Sequence, residues 1–479
     1  MDDASDGGPT LGAVASLDLG PDALSYKSCT MTQDEDQRWR ATYAYRLQGQ
    51  EHLAHVIVPG GAMNDECRRV LEHAGLVLLC GPWTLKPCRR ILCEAMPLSD
   101  AQKSFWIQFY QEAFAEFALE NKLSKDACDV SVEAATIDEE EAPVETSPDN
   151  VRLLCGLSGG RDSLVAWALC RRQPRVAEVD WLYVGNAFAH SKRLRGVVER
   201  TGGSIRIAEV SGLAAGGPRA ARCAFQGIAV ASLLGYDGFV VGHARSAGEG
   251  NGVVYGGREV NHQFDQSLKW EEKIRKYLRH LSTVAYVSPL QHLWALQVTG
   301  IFCREKELKP FYALFRSCDE LSDGWCAACP KCASVFCLVS AFRDDASTLF
   351  HGVDLYEETD MVPFFEELVG KEKALAGVGT ARETKLALAL ARRRRKGWVG
   401  EVLAAHTDGN VPSARLLTDR GPSWSPAWWD AGVLEALESV KQLEALRKAI
   451  VQERGRGTFV NRLFSTMTNV PREPMASEM

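Results

Sequence analysis

Three groups of residues in this sequence carry side chains suited to chemistry. The first is Ser158-Gly159-Gly160-Arg161-Asp162-Ser163, which follows the short apolar run 151–157 and leads into a helical pattern. A strand that runs through a glycine-rich turn into a helix makes an anion site. The glycines let the backbone come close, unpaired N–H groups point outward, and the helix dipole adds positive potential. Ser158 and Ser163 can donate hydroxyl hydrogen bonds, and Arg161 can pair with a phosphate oxygen. Asp162 can hold the Mg²⁺ that offsets the charge of a polyphosphate. The hexapeptide is not a Walker loop, which needs Gly-Lys-Ser/Thr, and it does not have the GxGxxG form.

The second group is a polar block: His243, Arg245, Ser246, Glu249 and Asn251, then Glu259, Asn261, His262 and Gln263, with Ser267 and Glu271 beyond. It follows a predicted buried strand. Such a density of hydrogen-bonding side chains there is costly unless partners occupy it, although an ordinary polar surface loop would look similar. The third group is Cys318 with Cys326, Cys329 and Cys332 in Trp325-Cys-Ala-Ala-Cys-Pro-Lys-Cys332. Thiolates at i, i+3 and i+6 with a fourth upstream can converge tetrahedrally on Zn²⁺. The same run suits an iron–sulfur cluster, redox chemistry or sulfur transfer. A structural zinc is the preferred expectation, while Cys80, Cys93 and Cys337 read as buried core thiols.

These groups need elements to hold them. Strand patterns at 151–157, 179–184, 204–210, 238–242 and 283–287 alternate with helical patterns at 163–172, 191–201 and 220–234. That alternation predicts an α/β fold with a doubly wound parallel sheet, whose ligands sit at the carboxyl ends of the strands. Upstream, alternating aromatics at 38–48 and the apolar 52–58 predict two paired strands. Ser99 is expected to cap a helix reaching about Asn121, with Phe105, Phe109, Ala113 and Phe117 as its buried stripe. The expected organisation is a disordered 1–20, a smaller α+β N-terminal domain at 21–125, and an acidic linker at 126–150. A catalytic domain at 151–345, a helical C-terminal region at 346–455 and a tail at 456–479 complete it. The run Arg392–Gly397 reads as cations at a helix C-terminus.

With 479 residues, 46% hydrophobic and 24% charged, the chain has the composition of a multidomain globular enzyme. A formal charge of −7 argues against a nucleic-acid binder that works by neutralising phosphates. Fifteen cysteines spread over this length suit a reducing compartment rather than a disulfide scaffold. The acidic start Met1–Asp6 fits neither a signal nor a transit peptide. The apolar stretch 228–241 is too short and too broken to span a membrane. A soluble, cytoplasmic protein with neither nucleic-acid nor membrane partners is expected.

The loop at 158–163 resembles that of the ATP-pyrophosphatase (PP-loop) superfamily, whose members split ATP into AMP and pyrophosphate. Four blocks together are narrower: Ser158–Ser163, the segments 245–251 and 259–263, and Trp325–Cys332. In order and approximate spacing they resemble the UDP-N-acetyl-α-D-muramoyl-L-alanyl-L-glutamate epimerases, over roughly residues 35–395. The resemblance implies an adenine-nucleotide α-hydrolase-like fold and an ATP- and Mg²⁺-dependent epimerase. Its substrate would be a nucleotide-linked muramoyl peptide, whose terminal L-glutamate is inverted to D-glutamate for peptidoglycan synthesis.

ATP has a clear use in such a reaction. Deprotonating Cα beside an ionised carboxylate would put a second negative charge next to the first. An acyl-adenylate removes the first charge and makes an enolate accessible. Arg245, Asn251 or Asn261 can then stabilise the enolate oxygen. His262 and His243 are the candidate proton carriers, with Glu249 and Glu259 as rivals or metal ligands. The competing expectation is an enzyme that adenylates a nucleoside or RNA base for sulfur-transfer or nitrile-type chemistry.

Overall fold

The computed structural model describes residues 23–138, 148–212, 217–318, 324–370, 373, 379–391 and 413–455. The expectations for the N-terminal 1–20, the basic run Arg392–Gly397 and the tail at 456–479 lie outside the described residues.

Ten strands form one sheet. In chain order they are β1 (Ala23–Gln33), β2 (Trp39–Leu47), β3 (Gln50–Val58), β4 (Arg90–Leu98), β5 (Ser131–Thr136), β6 (Val151–Gly156), β7 (Val176–Val184), β8 (Ile205–Gly212), β9 (Gly238–Val240) and, last, β12 (Ala285–Val287). A separate hairpin pairs β10 (Val254–Tyr255) with β11 (Arg258–Glu259). The large sheet runs β12-β9-β6-β7-β8-β3-β2-β1-β4-β5. From β12 to β8 every pair is parallel.

This parallel half is buried on both faces, as parallel sheets must be. Leu153 and Cys155 of β6 face one core with the helix Arg161–Arg171, while Leu154 faces the other with the helix Arg219–Leu234. The chain proceeds outward from β6 to β8 and then returns to the other side of β6 as β9. The carboxyl ends of β6 and β9 therefore flank the point where strand order reverses, which is where such sheets bind ligands.

The N-terminal half is not a self-contained sheet. β3 pairs antiparallel with β8, so β1–β5 extend the parallel sheet. Aromatic alternation along β2 works as the sequence suggests: Tyr43 and Tyr45 are fully buried and donate to the carbonyls of Leu71 (3.0 Å) and Gly75 (2.7 Å) in the helix Asp65–Leu78. Gly75 is required there, because a β-carbon would lie 2.4 Å from the Tyr26 ring. Ser99 and Gln102 form a capping box on the helix Asp100–Ala113. Its fully buried residues are Trp106, Phe109 and Tyr110. The predicted stripe is thus displaced by one residue, apart from Phe109. This helix packs on the helix Leu268–Arg279, with Trp106 Nε1 donating to Tyr277 Oη at 2.8 Å.

β5 lies inside the span 126–150 expected as a linker, paired parallel with β4, and the acidic centre at 139–147 lies outside the described residues. Toward the C-terminus the described residues include helices at Val362–Leu368, Ala381–Ala391 and Glu438–Gly455.

Candidate active site

β6 ends at Gly156, and Gly160 begins the helix Arg161–Arg171, so Ser158-Gly159-Gly160 forms the turn between them. Gly159 has φ +68°, a conformation that favours glycine. A β-carbon there would also lie 2.2 Å from the Arg193 guanidinium. Ser158 and Ser163 close the turn with their hydroxyls 3.1 Å apart, and Gly160 N donates to Ser158 Oγ at 3.3 Å. The Gly159 carbonyl accepts from Arg193 Nη1 and from the backbone N of Arg316, both at 2.9 Å. Asp162 is partly exposed in the first turn of the helix, its Oδ1 accepting from Arg161 Nε.

Arg161 is placed differently from the expectation. Only 2% exposed, it turns into the core, with Nε donating to Asp162 Oδ1 (2.7 Å) and Nη1 to Thr299 Oγ1 (2.5 Å). It braces the loop from behind instead of reaching out to a phosphate. The expectation failed because the sequence does not show that the helix Ala295–Arg304 packs against this residue.

The polar block lies beside the loop. β9 leads to Gly242, where a β-carbon would be 2.8 Å from the Asp162 carbonyl carbon, so the two chain segments touch. His243 comes next, its backbone N donating to Ser288 Oγ at 2.9 Å. Burial pushes its pKa down to about 4. The helix Ala295–Arg304 links this neighbourhood to a large cleft. Thr299 holds Arg161, and Trp294 lies on the cleft wall five residues earlier, about 8 Å along a helix axis.

That cleft, about 1290 Å³, is lined by Arg245, Arg258, Lys269, Lys273, Arg382, Lys385 and Arg415 against Glu112, Glu249, Glu259 and Asp419. Seven cations against four carboxylates give the cleft a net positive lining. Arg245 lies 4.3 Å over the Trp294 ring and pairs with Asp419 at 3.1 Å. Arg382 pairs with Glu249. Gln108, Gln111 and Glu112 of the helix Asp100–Ala113 complete one wall, so the N-terminal half also builds the cleft.

The nominated amides are used internally. Asn251, 1% exposed, donates from Nδ2 to the Lys373 carbonyl (3.0 Å) and accepts from the His262 backbone N at Oδ1 (2.9 Å). Asn261 donates to the Ala247 carbonyl (2.8 Å) and accepts from Gln263 N (2.9 Å). Both shape the loop, and Asn261 lines the cleft together with Arg245. Glu259 accepts from Gly252 N at 3.2 Å and so holds the turn before the hairpin, while also lining the cleft. The His262 ring lies against the Asn251 amide. Burial, with the charges of Lys373 and Lys331, lowers its pKa to about 4, so it is neutral at physiological pH.

Two residues here carry no sequence signal of their own. Lys373 is buried and donates from Nζ to the carbonyls of Ser246 and Glu249, each at 3.0 Å, and burial lowers its pKa to about 8. Glu383 is fully buried. It accepts from Leu296 N (2.8 Å), Thr380 N (2.9 Å) and Ser246 Oγ (2.8 Å), holding the start of the helix Ala295–Arg304. Both lie far along the chain from the block they organise.

The four cysteines of the third group come together. The sulfur atoms of Cys318, Cys326, Cys329 and Cys332 lie within 4.8 Å of one another. Hydrogen bonding from Cys332 lowers the pKa of Cys329.

Two family models together match most of the chain. The sequence model of the MurL N-terminal domain matches residues 19–288, and that of the MurL C-terminal domain matches residues 312–420. The chain belongs to the MurL family. The first match runs from before β1 through β12, the full extent of the ten-stranded sheet. The second covers the cysteine group and the 382–385 and 413–420 walls of the cleft. This MurL-family chain is similar to proteins named UDP-N-acetyl-α-D-muramoyl-L-alanyl-L-glutamate epimerase. That of a Micromonospora species is 25% identical over 86% of this chain and 91% of its own length. That of Salinispora tropica is 25% identical over 81% and 90%, and that of Xanthomonas oryzae pv. oryzae 26% over 74% and 83%. No solved structure matches the chain. Among the described residues no helix is long and apolar enough to cross a membrane.

Proposed function

We propose that this chain is an ATP- and Mg²⁺-dependent epimerase that inverts the terminal L-glutamate of UDP-N-acetylmuramoyl-L-alanyl-L-glutamate. The observation that carries the reading is the adjacency of a glycine-rich anion loop at a strand-order reversal to a large cation-lined cleft. Such a substrate carries a diphosphate and carboxylates, which suits that cleft. The named function of the relatives favours a glutamate carboxylate over a nucleoside base as the group adenylated.

In this mechanism the 158–163 loop binds the polyphosphate of ATP with its hydroxyls and backbone N–H groups. Asp162 would hold Mg²⁺, which supplies charge neutralisation for the leaving pyrophosphate. The glutamate carboxylate attacks the α-phosphorus, the α–β phosphoanhydride breaks, and pyrophosphate departs. The resulting acyl-adenylate has lost the carboxylate charge, so a base can take the α-proton, and Arg245 stabilises the enolate oxygen. A proton returns on the opposite face. Water then cleaves the mixed anhydride, releasing AMP and the D-glutamyl product.

His262 is the assigned base. It is neutral at physiological pH, and its ring is oriented by Asn251. His243, Glu249 and Glu259 are the alternatives. Running the reaction in deuterium oxide tests the assignment: deuterium enters glutamate Cα with the wild type and not with His262→Ala. Unchanged exchange in the variant would remove His262 from the role. The adenylation step is tested by pyrophosphate release that appears only when the L-glutamyl substrate is present.

A further inference from the structure

We propose that Cys318, Cys326, Cys329 and Cys332 hold one zinc ion, and that this ion clamps the backbone at 316–318 against the phosphate loop. The site stands on its own geometry and does not depend on the epimerase reading.

All four donors are sulfur, which selects against Mg²⁺ and Ca²⁺ and for a soft, tetrahedral ion. Zinc–sulfur bonds of about 2.3 Å place the corners of a tetrahedron ~3.8 Å apart. The four sulfur atoms all lie within 4.8 Å of one another, and Cys326 and Cys332 are 3.6 Å apart. A core of several irons and sulfides would hold its thiolates farther apart than this.

The local backbone is built for convergence. Ala327 adopts φ +56°, an unusual conformation for a residue with a side chain, and it bends the chain between Cys326 and Cys329. Cys329 caps the helix Pro330–Ser340, and Cys332 follows in its first turn, with Cys332 N donating to Cys329 Sγ at 3.4 Å. Four protein ligands leave no open coordination position, so the ion is structural and not hydrolytic.

The clamp reaches the phosphate loop through the residues just before Cys318. The backbone N of Arg316 donates to the Gly159 carbonyl at 2.9 Å, and Ser317 Oγ is 3.2 Å from where a β-carbon on Gly160 would stand. The Arg316 guanidinium donates to the carbonyl of Gly324, two residues before Cys326, at 2.9 Å. Fixing Cys318 to the other three cysteines therefore fixes the strip of backbone that buttresses Gly159 and Gly160.

The experiment begins with metal analysis of the full-length protein purified without added metal. Close to one zinc per chain is expected, retained in Cys29→Ser and lost in Cys329→Ser. Wild-type protein reloaded with Co²⁺ should show the visible absorption of a tetrahedral tetrathiolate, a readout that does not require the variant to fold. Hydrogen exchange of peptides covering residues 157–163 should then rise when zinc is stripped and return when it is restored, with or without nucleotide. Iron in place of zinc, or a folded metal-free protein that gives no tetrathiolate spectrum with Co²⁺, would overturn the site. Unchanged exchange at 157–163 in the stripped protein would overturn the clamp.

Discussion

The phosphate loop and the neighbouring cleft are built in opposite ways. The loop takes its hydroxyls, glycines and carboxylate from six consecutive residues at one strand–helix junction. The cleft takes its cations from the 245–273 block, from 382–385 and from Arg415, and one wall from the helix Asp100–Ala113. A local turn can form its geometry once one strand and one helix are in place. A cleft of scattered segments exists only after the whole chain has folded. Nucleotide binding and recognition of the second substrate should therefore respond to different substitutions.

The largest effect expected from breaking this separation is at Asp162. Asp162→Asn should lower substrate-dependent pyrophosphate release by at least ~10²-fold, the scale of losing one charge-stabilising group. Direct titration should find the muramoyl substrate still bound in the cleft. Next is Gly242, which joins the two regions. A methyl group there would press on the Asp162 backbone, so Gly242→Ala should raise the KM for ATP by roughly 10-fold, a cost of ~1.4 kcal/mol. The KM for the second substrate should move less. Lys385→Ala or Arg415→Ala, on the cleft wall, should do the reverse. Steady-state kinetics should show the KM for the muramoyl substrate rising several-fold, up to ~10-fold, with the KM for ATP unchanged.

A last effect, on stability and not on kinetics, concerns the core beneath the cleft. His73 is buried with Nδ1 2.5 Å from Tyr277 Oη, on the helix that also presents Lys269 and Lys273. Burial lowers its pKa to about 3, below the unfolded value of about 6.5. The unfolded chain thus binds the extra proton first, and stability is lost as pH falls from about 6.5 toward 3. His73 alone contributes a slope of up to ~1.4 kcal/mol per pH unit in that window. Urea denaturation at several pH values should show a shallower slope in His73→Phe than in the wild type.

The same division explains what could be read from the sequence. The parallel half was legible because each strand is a compact apolar run between amphipathic helices. Its predicted strands correspond to β6, β7, β8, β9 and β12. β5 escaped because it is a sheet edge on which only Val132 is buried, so it offers no hydrophobic pattern and sits in acidic surroundings. The sharing of one sheet by both halves was also invisible, since a pairing such as Val56 with Val210 leaves no local trace. At the site, the loop and the convergence of four cysteines followed from spacing. The inward turn of Arg161, the internal use of Asn251 and Asn261, and the roles of Lys373 and Glu383 depend on partners far along the chain.

The central claim is that one site joins the nucleotide loop to glutamate inversion in the adjacent cleft. Its most direct test is to incubate the protein with ATP, Mg²⁺ and UDP-N-acetylmuramoyl-L-alanyl-L-glutamate, then hydrolyse the product and resolve its glutamate on a chiral column. The expected result is D-glutamate, with AMP and pyrophosphate formed alongside and no D-glutamate when ATP is left out. Glutamate that stays entirely in the L form, in protein that still consumes ATP with another substrate, would contradict it.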